Sequence, residues 1–315
     1  MPSAEAQCAD KVLVIRPAAF GANPETAASN SFQAPEPVAT RHLVNRAALE
    51  EFAGLTRRLQ GAGIDAIAAD DTPTPVKPDA VFPNNWFSTH ADGTVVLYPM
   101  MAPSRRPERR PELLEAIAKE RQLVISRVVD LSSFEAQGKF LEGTGSLVLD
   151  RVNRIVYACL SPRTDRDVLG EFSVQTGCEV IAFRATDNNG LAIYHTNVML
   201  SIGTEFAIVC SECIEDASRA RVLSSLRATR ASIIEVSRAQ MGLFACNLLE
   251  VSTAGDERAV LMSSTAARAV RLDEAPPPGV DQVVVVDIPT IERYGGGSLR
   301  CMLGEIFLPS AAALK

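Results

Sequence analysis

The chain has 315 residues, of which 47% are hydrophobic and 22% are charged, and its formal net charge is -7. These values are typical of a folded globular protein and exclude a disordered or fibrous chain. The acidic balance disfavours a nucleic-acid-binding surface, because such surfaces carry clustered Lys and Arg. The one dense basic run, Arg105 to Arg110, is short and is interrupted by a proline and Glu108. We therefore expect no nucleic-acid partner.

The N-terminal segment has no basic stretch followed by a long apolar one, and no run approaches the ~20 apolar residues of a membrane span. We expect a cytoplasmic protein with no membrane partner. The seven cysteines lie at irregular spacings. In a chain of this size they are expected to be free thiols, and for each of them a small buried hydrophobe is the simplest interpretation.

Short β-branched runs alternate with amphipathic stretches along the chain. The runs predict strands at 12–15, 94–98, 146–149, 154–159, 197–200, 206–210, 232–236 and 282–288. The helical period predicts helices over 47–61, 109–121, 165–176 and 214–227. The short turns at 150–154 and 203–205 indicate antiparallel hairpins, so an α/β fold with a purely parallel sheet is disfavoured. Residues 22–40 and 275–281 are predicted loops, neither long enough to separate two domains.

Only three histidines are available for acid–base chemistry near neutral pH: His42, His90 and His195. His42 lies near a predicted helix start and His90 in a predicted turn, so both are expected at the surface. His195 stands at the beginning of an apolar strand, where a rigid element can present a side chain to a cleft. A buried structural histidine is the alternative for His195, and the residues alone leave it open.

Cys301 has the most unusual surroundings of the seven cysteines. Three glycines, Gly295 to Gly297, precede it and would let the backbone approach a ligand closely. The neighbouring Arg300 could favour the thiolate, which is the reactive form. A buried cysteine beside a flexible turn is the alternative. The glycine run is no phosphate loop, because no Gly-Lys-Ser/Thr follows it.

Glu142, just before two glycines and a strand, could orient His195 as the third member of a nucleophile, base and orienter set. A solvated turn residue is the simpler interpretation of Glu142 alone. Cys210 and Cys213 form a single C-x-x-C without a second pair, so zinc is not expected. Gly143 and Gly145 lack the third glycine of a dinucleotide motif. We therefore expect neither a metal nor a cofactor.

Six short motifs together resemble the guanidino-modifying enzyme superfamily, which includes arginine deiminase, dimethylarginine hydrolase and the amidinotransferases. The motifs are PDAVFPNNW (78–86), APSRRPE (102–108), LEGTGSLV (141–148), SPRTD (161–165), YHTNVML (194–200) and GGGSLRCMLGE (295–305). They follow the family's order over most of the chain, and the citrulline-utilisation hydrolases are the most similar group. The resemblance implies a pentein fold, an α/β propeller of five ββαβ-like units around a polar channel. It also implies one catalytic domain over residues 1–315 and a small-molecule substrate, and it allows a homo-oligomer.

The resemblance implies a role for each matched residue. Cys301 would attack the guanidino or ureido carbon, His195 would shuttle protons, and Glu142 would hold His195 or bind the far side of the substrate. Asp79 matches the substrate-binding carboxylate of the family. Arg105 or Arg106, together with Arg163, match arginines that grip the amino-acid carboxylate, a contact that suits the guanidinium fork.

Two residues depart from the family pattern. Asn197 stands two residues after His195, where the deiminases carry an aspartate, and Asn85 ends a PDxVFxxD pattern that otherwise closes on an acid. An amide would leave a guanidinium partly unpaired in a desolvated pocket, whereas it offers a donor and an acceptor to a neutral urea group. We therefore hypothesise that citrulline is hydrolysed to ornithine, carbon dioxide and ammonia.

Two other functions stay open. An arginine deiminase, dimethylarginine hydrolase or amidinotransferase would use the same nucleophile, because Asp79 and Glu142 can suffice for a guanidinium. A non-catalytic pentein that only binds its ligand is disfavoured, because the candidate nucleophile, base and carboxylate are all present.

Overall fold

The computed structural model describes residues 5–312, and this part of the chain forms fifteen short strands and nine α-helices. The strands, in chain order, are β1 Lys11–Arg16, β2 Asp65–Asp70, β3 Phe87–Thr89, β4 Thr94–Leu97, β5 Arg127–Asp130, β6 Leu147–Asp150, β7 Ile155–Cys159, β8 Glu179–Phe183, β9 Leu200–Ile202, β10 Phe206–Val209, β11 Ser232–Glu235, β12 Leu249–Ser252, β13 Arg258–Ser263, β14 Gln282–Val286 and β15 Gly304–Ile306. The helices are α1 Pro24–Ala27, α2 Arg41–Gly61, α3 Pro111–Glu120, α4 Gly143–Ser146, α5 Arg166–Thr176, α6 Asp216–Thr229, α7 Arg238–Met241, α8 Ser264–Val270 and α9 Pro289–Gly295.

The strands form five three-stranded sheets with one common plan. Their orders are β15-β1-β2, β3-β4-β5, β6-β7-β8, β9-β10-β11 and β12-β13-β14. In each sheet the middle strand pairs antiparallel with the first strand and parallel with the third. A parallel pair needs a crossover connection, and α2, α3, α5, α6 and α8 supply it, one per sheet. The architecture is therefore α/β with five mixed sheets.

The longest helix shows how the sequence pattern produces the packing. The helix α2 buries Val44, Ala48, Phe52, Leu55 and Leu59, a spacing of three or four residues that forms one apolar stripe. This stripe packs on β2, β14 and α9. The stripe thus joins the first sheet to the last one.

The first sheet joins the two ends of the described chain. Strand β1 lies near the N-terminus, and its antiparallel neighbour β15 comes from residues 304–306, with Lys11 opposite Ile306 and Leu13 opposite Gly304. The other four sheets are each built from consecutive strands. The repeat is structural only, in agreement with the absence of a visible sequence repeat.

Most of the predicted elements are present. Both predicted hairpins exist, since β6 pairs antiparallel with β7 and β9 with β10, and a purely parallel sheet is excluded. The predicted strand at 197–200 begins only at Leu200, because Thr196–Val198 form a 3-10 turn. The helix predicted from residue 47 begins at Arg41.

Two further expectations can be compared with the structure. All seven cysteines carry free thiols. His90, expected at the surface, is buried instead, with its Nε2 3.1 Å from the Ser88 hydroxyl. Within residues 5–312, no helix combines the length and the apolar character that a membrane span requires.

Candidate active site

The site is built from short turns that precede the first strand of each sheet. Asn85 ends the turn before β3, and Glu142 precedes the turn before β6. His195 precedes the turn before β9, Asn247 lies two residues before β12, and Cys301 lies in the turn before β15. Because each turn is anchored by its own sheet, five rigid elements place one functional side chain each.

These turns enclose a small polar pocket. It is lined by Thr26, Asn30, Asp79, Phe82, Asn85, Arg105, Arg163, Tyr194, His195, Gly295, Gly296, Gly297 and Cys301, and its volume is about 10 Å³. That volume holds about one water molecule. An amino acid could therefore enter only after part of the lining moves. We call this cavity the substrate pocket.

His195 is held by Glu142. The two side chains are joined by a hydrogen bond of 2.8 Å between Nε2 and Oε2. Glu142 is ionised, so its oxygen accepts and His195 Nε2 carries the proton. Its other oxygen, Oε1, accepts from the Met101 backbone N–H at 3.1 Å. Glu142 therefore orients His195 and leaves Nδ1 as the basic nitrogen, and the solvated-turn interpretation of Glu142 is wrong.

Opposing effects set the charge states of this pair. Burial disfavours ionised Glu142, but the Arg163 guanidinium, the His195 hydrogen bond and Arg105 outweigh it, so the pKa of Glu142 lies well below its usual range. Burial lowers the pKa of His195 to about 4, although the hydrogen bond to Glu142 acts in the opposite direction. His195 is thus neutral at pH 7 and able to accept a proton.

Cys301 faces two amide groups. Asn197 Nδ2 lies 3.5 Å and Asn247 Nδ2 lies 3.4 Å from the Cys301 sulfur. All three side chains are buried. Two other buried cysteines are unfavourable as thiolates, since burial raises the pKa of Cys159 to about 12 and that of Cys246 well above its ordinary value.

Asp79 and Asn85 lie on the other side of the substrate pocket. Asp79 Oδ2 accepts from Asn23 Nδ2 at 2.8 Å, whereas its buried Oδ1 has no hydrogen-bond partner among the described residues. Burial raises the pKa of Asp79, against the effect of Arg105. Asn85 Oδ1 accepts from Arg105 Nη1 at 2.9 Å. Since a guanidinium can only donate, this contact fixes the Asn85 amide with its oxygen toward Arg105.

The two arginines in the pocket are tied to carboxylates. Arg105 forms a two-point pair with Glu108, with distances of 3.0 Å and 2.9 Å, and lies 3.6 Å from Asp79 and 3.7 Å from Glu142. Arg163 lies 3.4 Å from Glu142 and over the Tyr194 ring at 5.0 Å. Every buried charge here has an opposite charge beside it, as burial requires.

A segment near the N-terminus, residues 22–34, covers the substrate pocket. Arg163 donates to the Ser29 hydroxyl at 2.7 Å and to the Thr26 carbonyl at 3.2 Å. Asn30 Nδ2 donates to the carbonyl of Gly296 at 3.2 Å. We call these residues the covering segment. Its contacts engage the same guanidinium that was predicted to bind a substrate carboxylate.

Glycines allow the close approach of these turns. A Cβ on Gly145 would lie 2.5 Å from Asn85 Nδ2 and 2.7 Å from His195 Nδ1. Gly296 has a φ of +64° and a Cβ there would lie 2.5 Å from Asn30 Nδ2. The glycines beside Glu142 and before Cys301 thus serve backbone packing around the site.

Two predicted contributors lie elsewhere. Arg106 points away from the substrate pocket, donating to the Met100 carbonyl at 3.2 Å and lying 3.3 Å from Glu135. Arg105, and not Arg106, therefore lines the pocket. The Arg300 guanidinium donates to the Leu303 carbonyl at 2.9 Å and to Glu305 at 2.6 Å. Glu305 thus neutralises the charge that was considered as an aid to the Cys301 thiolate.

A second polar cavity lies on the opposite side of Asn197. This rear cavity has a volume of about 30 Å³ and is lined by Gln7, Thr144, Leu147, Val148, Leu149, Arg151, Asn197, Ser201, Ile202, Leu248, Leu249, Glu250, Arg300 and Glu305. Beside it, Cys8 donates to Glu250 Oε2 at 3.0 Å. Among residues 5–312, no group of three His, Cys, Asp or Glu side chains could hold a metal ion.

Sequence reasoning missed several residues of the site. Asn23, Thr26, Asn30 and Tyr194 lie in or near the substrate pocket, and Asn247 contacts Cys301. Asn247 carried a faint signal, because it precedes an apolar strand at nearly the spacing that Asn85 and Asn197 have before theirs. The covering segment carried none, since its composition is that of an ordinary loop.

Comparisons with known proteins agree with this geometry. Residues 16–308 match the family model described as eukaryotic N,N dimethylarginine dimethylhydrolase. No curated protein sequence matches the chain.

Solved structures share the fold. ArgZ, an arginine dihydrolase from the ornithine–ammonia cycle in cyanobacteria, superposes with a TM-score of 0.72 at 18% identity, covering 95% of this chain and 41% of that one. The N-terminal domain of ArgZ, solved as a variant covalently bound to a reaction intermediate, gives 0.72 at 17% identity and coverage of 95% and 98%.

A dimethylarginine dimethylaminohydrolase variant, solved as an adduct with S-methyl-L-thiocitrulline, gives a TM-score of 0.62 at 16% identity, with coverage of 95% of this chain and 100% of that one. The family match extends over most of this chain, so the predictions of the guanidino-modifying superfamily and of an enzyme of this hydrolase class are confirmed. The chain belongs to the N,N dimethylarginine dimethylhydrolase family.

Proposed function

We propose that this chain hydrolyses a C–N bond of a small ureido or guanidino amino acid, with citrulline as its substrate. The observation that carries the proposal is the meeting of Cys301, the His195–Glu142 pair and the free Oδ1 of Asp79 around one closed pocket. A nucleophile, a base and an orienting carboxylate make up the set that covalent catalysis requires.

The orientation of Asn85 favours a ureido group. Its Oδ1 is occupied by Arg105, and one hydrogen of its Nδ2 is donated to Asn84 Oδ1 at 3.0 Å. Asn85 can therefore still offer one Nδ2 hydrogen, beside the second lone pair of its Oδ1. A ureido oxygen can accept this hydrogen, whereas a guanidinium, which only donates, cannot. Asp79 Oδ1 would accept from a ureido N–H.

The reaction follows from these positions. His195 takes the thiol proton at Nδ1 as the Cys301 sulfur adds to the ureido carbon, and the bond to the terminal nitrogen breaks as His195 passes that proton to the nitrogen, which leaves as ammonia. A thiocarbamate between Cys301 and the ornithine nitrogen remains. A water molecule activated by His195 then attacks the same carbon and expels the thiolate. The resulting carbamate loses carbon dioxide, and ornithine is released.

Arg163 is the candidate for binding the substrate α-carboxylate. Its guanidinium donates to Ser29 and Thr26 of the covering segment. A carboxylate would compete for the same donors and form charge-assisted bonds, which are stronger than bonds to a hydroxyl or a carbonyl. Substrate binding and the position of the covering segment would therefore be coupled.

A guanidino substrate is the alternative, as in an arginine deiminase, a dimethylarginine hydrolase or an amidinotransferase. The observation in its favour is the unpaired, buried carboxylate oxygen of Asp79, which would pair well with a guanidinium. The structural neighbours include an arginine dihydrolase and a dimethylarginine dimethylaminohydrolase. Arginine and dimethylarginine are therefore the competitors to test against citrulline.

We also propose that the five sheets are the blades of a pentein propeller and form one catalytic domain. In support, the first strands of neighbouring sheets contact one another, β15 with β3, β6 with β9 and β9 with β12. The turns before β3 and β6 also touch, as do those before β3 and β15. Such a ring would place the substrate pocket and the rear cavity on one central channel.

The test is incubation of the purified chain with citrulline, arginine and asymmetric dimethylarginine, each with product analysis by mass spectrometry and an ammonia assay. We expect equal amounts of ornithine and ammonia from citrulline and no product from the other two. Turnover of arginine or dimethylarginine alone would overturn the ureido proposal. Ornithine with two ammonia molecules from arginine would instead identify an arginine dihydrolase. A Cys301→Ala variant serves as the blank.

A further inference from the structure

We propose that Asn247 acts on the nucleophile directly: together with Asn197 it forms a two-amide cradle that stabilises the Cys301 thiolate. The amide nitrogens of the two asparagines lie 3.4 Å and 3.5 Å from the sulfur, within the range of N–H···S hydrogen bonds. The inference rests on the proposed role of Cys301 as nucleophile, but it does not depend on which substrate is turned over.

The orientation of the Asn247 amide is fixed by partners that can act in only one way. Its Oδ1 accepts from the Arg300 backbone N–H at 3.1 Å, and its Nδ2 donates to the Asn197 backbone carbonyl at 3.0 Å. A backbone N–H cannot accept and a carbonyl cannot donate. The nitrogen is therefore the group that can donate to a thiolate, while Oδ1, 3.7 Å from the sulfur, can accept only from the protonated thiol.

Asn247 is also placed rigidly. It is fully buried, and its own backbone N–H donates to the Phe244 carbonyl at 2.8 Å. One of its Nδ2 hydrogens is used by the Asn197 carbonyl, so one remains for the sulfur. Because the donors are already oriented, the thiolate gains their hydrogen bonds without reorganisation of the site. A hydrogen bond to the charged form favours that form.

Asn247 also holds the backbone beside Cys301, and the experiment must distinguish this positioning role from stabilisation of the thiolate. Through Oδ1 it holds the backbone of Arg300, the residue before the nucleophile. A purely positioning role would need only this acceptor, whereas a thiolate-stabilising role needs the Nδ2 donor. The variant Asn247→Asp keeps the acceptor and shape but replaces the donor by an oxygen, and Asn247→Ala removes both.

The experiment is the pH dependence of Cys301 alkylation by iodoacetamide, read by mass spectrometry on the peptide that contains Cys301. We expect the midpoint of the profile to rise by about one pH unit in Asn247→Ala and by more in Asn247→Asp, where a carboxylate would face the thiolate. Asn197→Ala should raise it as well. The exposed Asn153→Ala variant is the matched control and should behave as the parent chain.

Other ionisable groups near the thiol are His195, Tyr194, Asp79, Arg105, Arg163 and Arg300, and all variants retain them. The burial of the sulfur affects the rate of alkylation at high pH, where the profile is flat. The midpoint of the pH profile instead measures the pH at which the thiolate forms. Thermal unfolding of each variant shows whether it is folded, and the isosteric Asp variant remains available if the Ala variant is not.

A parent-like midpoint in Asn247→Ala would overturn the inference even if Asn247→Asp shifts, because the new carboxylate raises the midpoint on its own. Unchanged midpoints in both Asn247 variants would do the same. If the midpoints shift as expected but none of the ureido or guanidino compounds is turned over, the cradle stands and the proposed function fails.

Discussion

Two thiols, one beside each polar cavity, lie in opposite electrostatic surroundings. Cys301 at the substrate pocket faces the amide donors of Asn197 and Asn247. Cys8 beside the rear cavity donates to the carboxylate of Glu250, and burial followed by that carboxylate raises the pKa of Cys8 strongly. Burial and the neighbouring carboxylate thus act together against a Cys8 thiolate, whereas amide donors face Cys301.

The two regions also share features that do not mark a reaction site. Each contains buried arginines paired with carboxylates, Arg105 and Arg163 at the substrate pocket and Arg151 and Arg300 at the rear cavity. Each also has a buried histidine nearby, His195 and His90. Only His195 has a short hydrogen bond to an ionised carboxylate. The combination of oriented base and donor-faced thiol is what distinguishes the substrate pocket.

The largest expected difference between the regions is in turnover. Cys301→Ala should lower kcat by at least about 10⁴-fold, because no other group can form the covalent intermediate. Cys8→Ala should leave kcat within about twofold of the parent value, since Cys8 lies outside the substrate pocket. Steady-state ornithine production by the two variants checks this. Similar losses of kcat in the two variants would contradict the difference that we expect between the two thiols.

The second largest effect on turnover is expected from a change in the residue that orients His195. Glu142→Gln should lower kcat by about 10²- to 10³-fold with a smaller change in KM, because an amide can donate to Nε2 and so favour the wrong tautomer. The pH–rate profile should change together with kcat. A loss confined to KM would instead assign Glu142 to substrate binding, the role left open by the sequence.

The sequence predicts features that depend on residues close together along the chain better than features that depend on residues far apart. Local patterns predicted the hairpins and most of the long helices. The matched motifs named Cys301, His195, Glu142, Asp79 and Arg163, and left Arg105 and Arg106 as alternatives. The burial of His90 and the role of Asn247 depend on contacts between residues far apart in sequence, which local periodicity does not report. Arg105 and Arg106 are adjacent and chemically identical, so only the fold could decide between them.

The buried histidines predict a loss of stability in mild acid. The pKa of His195 is lowered to about 4, and that of His90 to about 3 by burial and then by Arg151. Both folded values lie below the unfolded value, so these two histidines bind more protons in the unfolded chain, and the stability they contribute falls as the pH drops below about 6.5. Glu108, whose pKa burial raises to about 8, acts in the opposite direction. Between pH 6.5 and pH 5 we expect each histidine to lower the free energy of unfolding by about 2 kcal/mol.

Urea unfolding at a series of pH values measures how the free energy of unfolding changes with pH. His90→Gln should remove about half of the histidine contribution to this change. It should not abolish activity, since His90 lies away from the substrate pocket. If stability depended on pH in the same way in His90→Gln and in the parent chain, His90 would not be buried in its neutral form.

The smallest effect tests Cys8 itself. Glu250→Gln removes the charge beside the Cys8 sulfur, so alkylation of Cys8 at pH 8 should become about tenfold faster. Turnover should stay unchanged. The peptide that contains Cys8, followed by mass spectrometry in the parent and variant chains, gives the rate. A rate independent of Glu250 would mean that burial alone keeps Cys8 inert.

The pairing of β15 with β1 has a consequence for synthesis on the ribosome. Cys301, the candidate nucleophile, lies just before β15, and β15 completes the sheet that contains β1. A nascent chain that ends before residue 296 has neither Cys301 nor β15, and its first sheet is incomplete. Such a chain would lack both the candidate nucleophile and the strand that follows it, so we expect it to be inactive however well the rest of it folds.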